Sequence, residues 1–362
     1  MASPRASGAG TVNGMLVAAA IMAAGLWASG VFAAPDVRSI EAPAAAADIA
    51  RRVSTPTNPT NSPGTPTTVA GTSPGGPGSG PVAGGCAVFP ADNAWNTDIS
   101  AARLRADSAQ IISKIQSAGG RHLHADFGSN PNYGIPFVVV PANQPDVMIT
   151  YGAYGDESDP GPFPVPLDAP VEGGANATGD RHVLVVRQGT CELFELYAST
   201  RTTNGWRADS GARWNLSTGA LRPIGWTSAD AAGLPILPGL VRYDEVAAGA
   251  VRHAIRITFG STRRGFVLPA THFASSSTDP TLPAMGMRMR LRADFDTSGL
   301  SGQARVIATA MQRFGVIVAD NGSNWFFQGA SDPRWDDEEL DQLKRIPGSA
   351  FEVVDTGPVR TS

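Results

Sequence analysis

The sequence predicts a mainly β protein, a β-sandwich or jelly-roll with about three helices packed outside it; an α+β arrangement is the alternative. Two observations lead there. Short runs rich in Val, Ile, Phe and Tyr, bounded by Pro, Gly and Asp, recur at 134–140, 147–154, 182–187, 192–198, 251–259, 266–268, 285–293 and 315–319. Short strands at that density mark a β architecture. Helical periodicity is confined to three places. Leu104, Ile111, Ile115 and Ala118 form a stripe ahead of Gly119, and Ser301 can cap a second helix carrying Ile307, Met311 and Phe314 before Gly315. Asp336 and Glu339 have capping-box spacing ahead of Leu340, Leu343 and Ile346. No repeat of propeller or solenoid length is visible.

Taken in order, the chain begins with Arg5, an apolar stretch over 15–28, a break at Ser29-Gly30, and the exit Val31-Phe32-Ala33-Ala34. This is the charged, apolar and small-residue order of a secretory signal over 1–33, with cleavage after Ala33. The alternative is an uncleaved anchor, because residues 15–34 are just long enough to span a bilayer. Only then would the chain meet a membrane. Residues 34–85 are rich in Pro, Thr, Ser and Gly and cannot bury enough apolar surface to offset their ordering entropy, so they read as a disordered tether. Residues 86–355 read as a single β-rich globular domain, and 356–362 as a flexible tail.

From Cys86 onward there are 24 basic and 29 acidic residues, with Lys114 and Lys344 the only lysines. That balance does not suggest a nucleic acid partner. The absence of a phosphate loop, a Gly-Xaa-Ser-Xaa-Gly elbow and a His-Glu-Xaa-Xaa-His helix weakens nucleotide, serine hydrolase and zinc peptidase readings. Two cysteines in an exported chain, Cys86 at the start of the domain and Cys191 at the start of a strand, point to one disulfide. In the chain-entropy account, closing so long a loop stabilises by roughly 4 kcal/mol.

The segments GDESDPGP at 155–162, GWTSADAAGLP at 225–235, PATH at 269–272 and ADNGS at 319–323 together resemble a group of secreted bacterial and fungal proteins to which no activity is attached. The resemblance spans the domain and implies export and one cooperative unit. It brings no catalytic residues to carry over.

The candidate chemistry therefore comes from the residues themselves. Along Glu192-Leu193-Phe194-Glu195-Leu196-Tyr197, Glu195 and Tyr197 share one strand face, and an interior carboxylate there suits acid/base work. His182, starting a strand, and Asp244, after Arg242-Tyr243, are further candidates for proton transfer; Asp244 also fits a helix N-terminus, where acids simply complement the dipole. Arg256 could share a concave face with Glu195, binding a sugar or forming an ion pair, and Trp226 and Trp325 beside polar groups resemble a sugar-stacking surface. His122, His124 and Asp126, two apart on an extended segment, could hold a divalent metal such as Ca or Zn, or hydrogen-bond a turn. The acidic loop at Asp156, Glu157 and Asp159 could supply oxygen ligands to calcium or be a solvated turn. His253 and His272 read as satisfied core histidines. Three functions follow: a secreted carbohydrate-active enzyme, hydrolase or lyase, needing no cofactor; a noncatalytic module binding an extracellular polysaccharide or cell-wall glycan; or a metal-dependent hydrolase.

Overall fold

In the segment Glu192–Tyr197, Leu193 and Glu195 face one way and Phe194 and Leu196 the other, and all four are buried. A strand covered on both faces belongs to the middle of a layered structure. The computed structural model describes residues 80–362; the signal segment and the linker up to residue 79 lie outside the described residues.

The strands in chain order are β1 Val82–Ala83, β2 Cys86–Ala87, β3 His124–Ala125, β4 Phe137–Val140, β5 Met148–Tyr151, β6 Val183–Arg187 and β7 Glu192–Tyr197. They continue with β8 Thr200–Arg201, β9 Gly205–Ala208, β10 Ser210–Asn215, β11 Ile255–Phe259, β12 Arg288–Leu291, β13 Val316–Asn321, β14 Phe326–Phe327 and β15 Phe351–Val353. Four α-helices accompany them among the described residues: α1 Ser108–Ser117, α2 Tyr243–Ala247, α3 Gly302–Arg313 and α4 Asp337–Asp341. The protein is mainly β, as its sequence predicts.

Three sheets build the body, ordered β10-β7-β6-β4, β15-β12-β13-β11-β14-β3 and β5-β9-β8. The four-stranded sheet is the middle one. Its Leu184, Val186 and Leu193 join a large core with Ile255, Ile257 and Val318 of the six-stranded sheet and Ile307 and Met311 of α3. From its other face Val183, Val185, Phe194 and Leu196 join Ile149, Trp206 and Ala208 of the three-stranded sheet. Strand pairing is mixed: β4 runs parallel to β6, β5 to β9, β11 to β13 and β14 to β3, while the remaining pairs are antiparallel.

The helices follow their sequence signals with two changes of partner: Ser301 stands at the start of α3 as expected, but its hydroxyl donates to Gln342 Oε1 at 3.3 Å and caps no amide of the helix. Asp336 accepts a hydrogen bond from the Glu339 amide at 3.0 Å, but the Glu339 carboxylate, instead of closing the box, accepts from the Gln303 amide at 2.8 Å. It thereby satisfies an orphan donor at the start of α3. Cys86 and Cys191 are joined, with Cα atoms 5.5 Å apart.

Both ends of the predicted domain shift outward. Val82–Ala83 pairs with Cys86–Ala87 as a hairpin, and Ala83 is buried, so ordered structure begins inside the segment assigned to the tether. At the other end, Phe266 and Arg360 exchange backbone hydrogen bonds at 2.9 and 2.8 Å, which pins the segment assigned to a flexible tail. In both places backbone pairing supplies the order that composition lacks. Among the described residues, no helix is long and apolar enough to cross a membrane.

Candidate functional site

The six-stranded sheet has one apolar side, and it carries a polar row at one end of the other. In β11, Ile255, Ile257 and Phe259 alternate with Arg256 and Thr258. The β11–β14 register sets Thr258 opposite Phe326, and the β14–β3 register sets Phe326 beside His124. One step further, Gln328 donates its amide hydrogen to the Arg256 carbonyl, and the Asp126 amide donates to the Phe327 carbonyl. Because side chains two apart on a strand share a face, Arg256, Gln328 and Asp126 form one lateral row, and Thr258, Phe326 and His124 the next. Parallel pairing of β13, with a register shift after Ile257, sets Asp320 opposite Thr258, within reach of the Arg256 guanidinium. His124 and Phe326 stack with ring centroids 4.2 Å apart, and both are half-buried.

Arg256 is 4 % exposed, and its Nε and Nη2 are bonded to carboxylates. Its guanidinium grips Asp230 at 2.7 and 2.9 Å and reaches Asp320 at 3.3 Å. Asp230 comes from the loop 225–235, which docks through an amide-to-carbonyl bond from Ala232 to Ala319. Gly233 makes this docking possible. Its φ is +67°, and a Cβ there would strike the Thr271 hydroxyl and the Trp226 carbonyl.

One end of the two central strands of the middle sheet, β6 and β7, supplies a second wall. His182 Nδ1 lies 2.6 Å from Glu172 Oε2, and Nε2 lies 2.9 Å from the Ala229 carbonyl. Both partners can only accept, so both ring nitrogens carry protons and His182 is an imidazolium. The Tyr197 ring is 5.7 Å from His182. Arg181 and Ala198, both at φ +52°, flank this wall, and the Ala198 and Ser199 amides donate to the Asp180 and Arg181 carbonyls. Two non-glycine residues in the left-handed region store strain of about 1–2 kcal/mol each.

The charges on the two walls act on one another. Burial opposes the charge on His182, but Glu172 more than offsets it and raises the imidazole to about 9. Burial pushes the Glu172 carboxyl up, and its contacts with His182 outweigh this, holding it below the usual carboxylate range. Asp320 is different: burial and then the charge of Asp230 push it up to about 8 against the pull of Arg256. The 3.3 Å contact with Arg256 does not reverse this, because Asp230 already takes the guanidinium with two shorter bonds. Asp320 nevertheless keeps 22 % of its side chain exposed. Asp126 is also open and raised, by desolvation first and Glu172 next, while Tyr197 is pushed up to about 12 by burial and by Asp180 and Asp320.

The predicted site residues divide accordingly. His182, Tyr197 and Arg256 come together, Arg256 as a structural clamp. Trp226 is half-buried on the Asp230 loop with Arg222 5.5 Å from its ring. Glu195 is fully buried, pushed up to about 7 by burial, and accepts the Ile236 and Leu237 amides at 2.9–3.0 Å. It anchors a turn beneath the site and has no route to a substrate. Trp325 is likewise corrected: its indole is wholly buried between Phe259 and Phe351, and the neighbouring Phe326 supplies the accessible ring. Asp244 stands at the exposed start of α2, paired with Arg334 at 2.8 Å, without contact to the other candidates.

His124 and Asp126 do share a face, but His122 is exposed, with its backbone bridged to Pro347. Among the described residues, no three His, Cys, Asp or Glu side chains stand where they could hold a metal ion together. In the acidic loop, Glu157 accepts the Thr227 amide at 2.9 Å, and Asp159 holds Arg222 at 2.5 Å and the Arg213 amide at 2.9 Å. These carboxylates pin loops together. His253 is a buried strut to Glu245 at 3.1 Å, and His272 Nδ1 meets the Ala231 carbonyl at 2.7 Å.

Sequence reasoning gave no site role to Glu172, Asp230, Gln328 or Asp320. Asp230 and Asp320 lie in GWTSADAAGLP and ADNGS, the segments that carry the resemblance; Glu172 sits among Val, Gly and Ala with no local signal. Two surface cavities of about 210 and 460 Å³ are lined by none of these residues. The chain matches no family model, no curated protein and no solved structure, and the site is therefore read from its own geometry.

Proposed function

We propose that this protein is an exported carbohydrate-active enzyme that cleaves an extracellular polysaccharide or cell-wall glycan by acid/base chemistry, with Asp320 as the acid and Glu172 as the ionised carboxylate. One observation carries the reading: two accessible carboxylates have environments that drive their protonation in opposite directions, the pattern by which acid and base roles are separated. Arg256 and Asp230 fix the position of Asp320, and His182 fixes Glu172. The His124–Phe326 stack offers a ring face of the kind that sugars pack against. The chemistry requires no cofactor. Export rests on the ordered signal regions and agrees with a formed disulfide.

A panel of polysaccharides, assayed for reducing ends and for unsaturated products, tests this with Asp320→Asn. Turnover should drop by about 10²- to 10⁴-fold with binding retained. The wild-type rate should decline as pH rises through about 8, because the acid is lost there. Unchanged turnover in Asp320→Asn removes the proposed acid. The half-exposed stack also supports a noncatalytic glycan-binding module; that reading predicts retention on a glycan without cleavage by the wild type, weakened by Phe326→Ala.

A further inference from the structure

The cavity of about 210 Å³ lies where the turn at 249–252, after α2, meets one face of α3, and no residue of the Asp320–Glu172 site lines it. Arg305, Thr309 and Arg313 stand four residues apart on that face, and Arg252 comes from the turn. Three of the lining residues are arginines and none is acidic. Only Arg313 meets a carboxylate, Asp98 at 2.6 Å. Arg305 gives Nε and Nη2 to the Leu300 and Ser298 carbonyls, which leaves its charge unmatched. The Arg252 guanidinium, half-buried, makes no hydrogen bond or ion pair among the described residues.

Two further features favour negative charge there. Arg288, behind Phe314, is 4 % exposed and gives its donors to the Ala94, Thr97 and Phe314 carbonyls, meeting no carboxylate among the described residues. A cation thus covers the C-terminal end of α3, where the helix dipole would otherwise repel an anion. Burial drives the Arg288 guanidinium down to about 10, with Asp98 alone opposing, so an anion placed nearby is stabilised. The second feature is in the turn itself. Val251 is 3 % exposed, yet neither its amide nor that of Arg252 has an acceptor among the described residues. A buried amide requires one, and successive unpaired amides suit an oxyanion.

We propose that this cavity binds a small phosphate monoester, held by Arg252 and Arg305. Charge selects the ligand: a dianion matches the two unmatched guanidinium groups, whereas a carboxylate supplies a single charge. Size bounds it, because the cavity is smaller than the roughly 300–1,000 Å³ that drug-sized molecules occupy. Val251, Val306 and Ala310 offer the carbon body an apolar wall.

Isothermal titration calorimetry on the exported protein, with its disulfide intact, tests this with glycerol 3-phosphate, inorganic phosphate and acetate. The expected result is one saturable site for glycerol 3-phosphate, none for acetate, and affinity that weakens as pH falls through about 6, where the phosphate takes up its second proton. Arg252→Ala should weaken binding at least about tenfold, whereas Arg201→Ala, which removes an exposed charge on β8, should leave it unchanged. An unaltered unfolding midpoint shows that Arg252→Ala is folded. Absence of saturable binding, equal binding in Arg252→Ala, or equal weakening by Arg201→Ala overturns the proposal. Acetate bound as tightly as the ester, or inorganic phosphate bound with the ester excluded, overturns the ligand class.

Discussion

The Glu172–His182 pair makes the stability of the fold depend on pH in a way that one substitution should remove. In the folded protein the imidazole is held at about 9, against 6.5 for an unconstrained histidine, with Glu172 supplying the excess over the burial penalty. At about 1.4 kcal/mol per pH unit, that difference is worth about 3 kcal/mol of folding free energy. The sign follows from a raised base: the contribution is complete below pH 6.5 and is lost as pH rises through 9. Glu172→Gln keeps the shape and one acceptor but removes the charge that holds the proton. The variant should therefore be about 3 kcal/mol less stable than wild type near pH 6 and nearly equal to it above pH 9.5. Denaturant unfolding followed by tryptophan fluorescence, at fixed ionic strength between pH 6 and 10, supplies both curves. Taking the difference between the two proteins largely cancels Glu195 and Asp320, whose raised carboxyls also lower stability as pH rises. A difference that stays constant across the range would refute the pairing, since an uncharged contact has no such slope.

Removing the bridge with Cys86→Ser and Cys191→Ser should cost roughly 4–5 kcal/mol, given 105 residues of separation, read as a shift in unfolding midpoint. Two alkylatable thiols in the unfolded, unreduced protein would deny the bond. Trp325→Ala should destabilise by about 3–5 kcal/mol as a core truncation, whereas Phe326→Ala, half-exposed, should leave the melting temperature nearly unchanged and weaken glycan retention. The reverse ranking would mean that the rings have been assigned to the wrong sides of β14.

Strand periodicity found β4, β6, β7, β11 and β13 within a few residues, because each is an apolar run with clear stops. It missed β10, whose Ser210-Gly211-Ala212 start has little β propensity and is held by register with Tyr197, Leu196 and Glu195 of β7. It also missed β3 and β14, two residues each, which exist only because β14 pairs with β11 and β3 with β14. Those short strands carry His124, Phe326 and the approach to Gln328, so the site was least legible where local pattern is weakest.

The sequence by itself determined the β-rich class, the disulfide, the α3 and α4 starts, and the alternation that sets Glu195 and Tyr197 on one face of β7. Which side chains reach solvent was decided only by tertiary packing. Periodicity assigns a face but does not say what covers it: the loop at 236–237 buries Glu195, while Tyr197, two residues on, stays half-open beside His182. Asp230, Arg256 and Asp320 lie far apart in the chain and become a charge network only when the 225–235 loop closes over the parallel β11–β13 pair. Whether a carboxylate is an acid or a strut depends on desolvation and neighbouring charge, and both are properties of the folded surroundings and not of the residue.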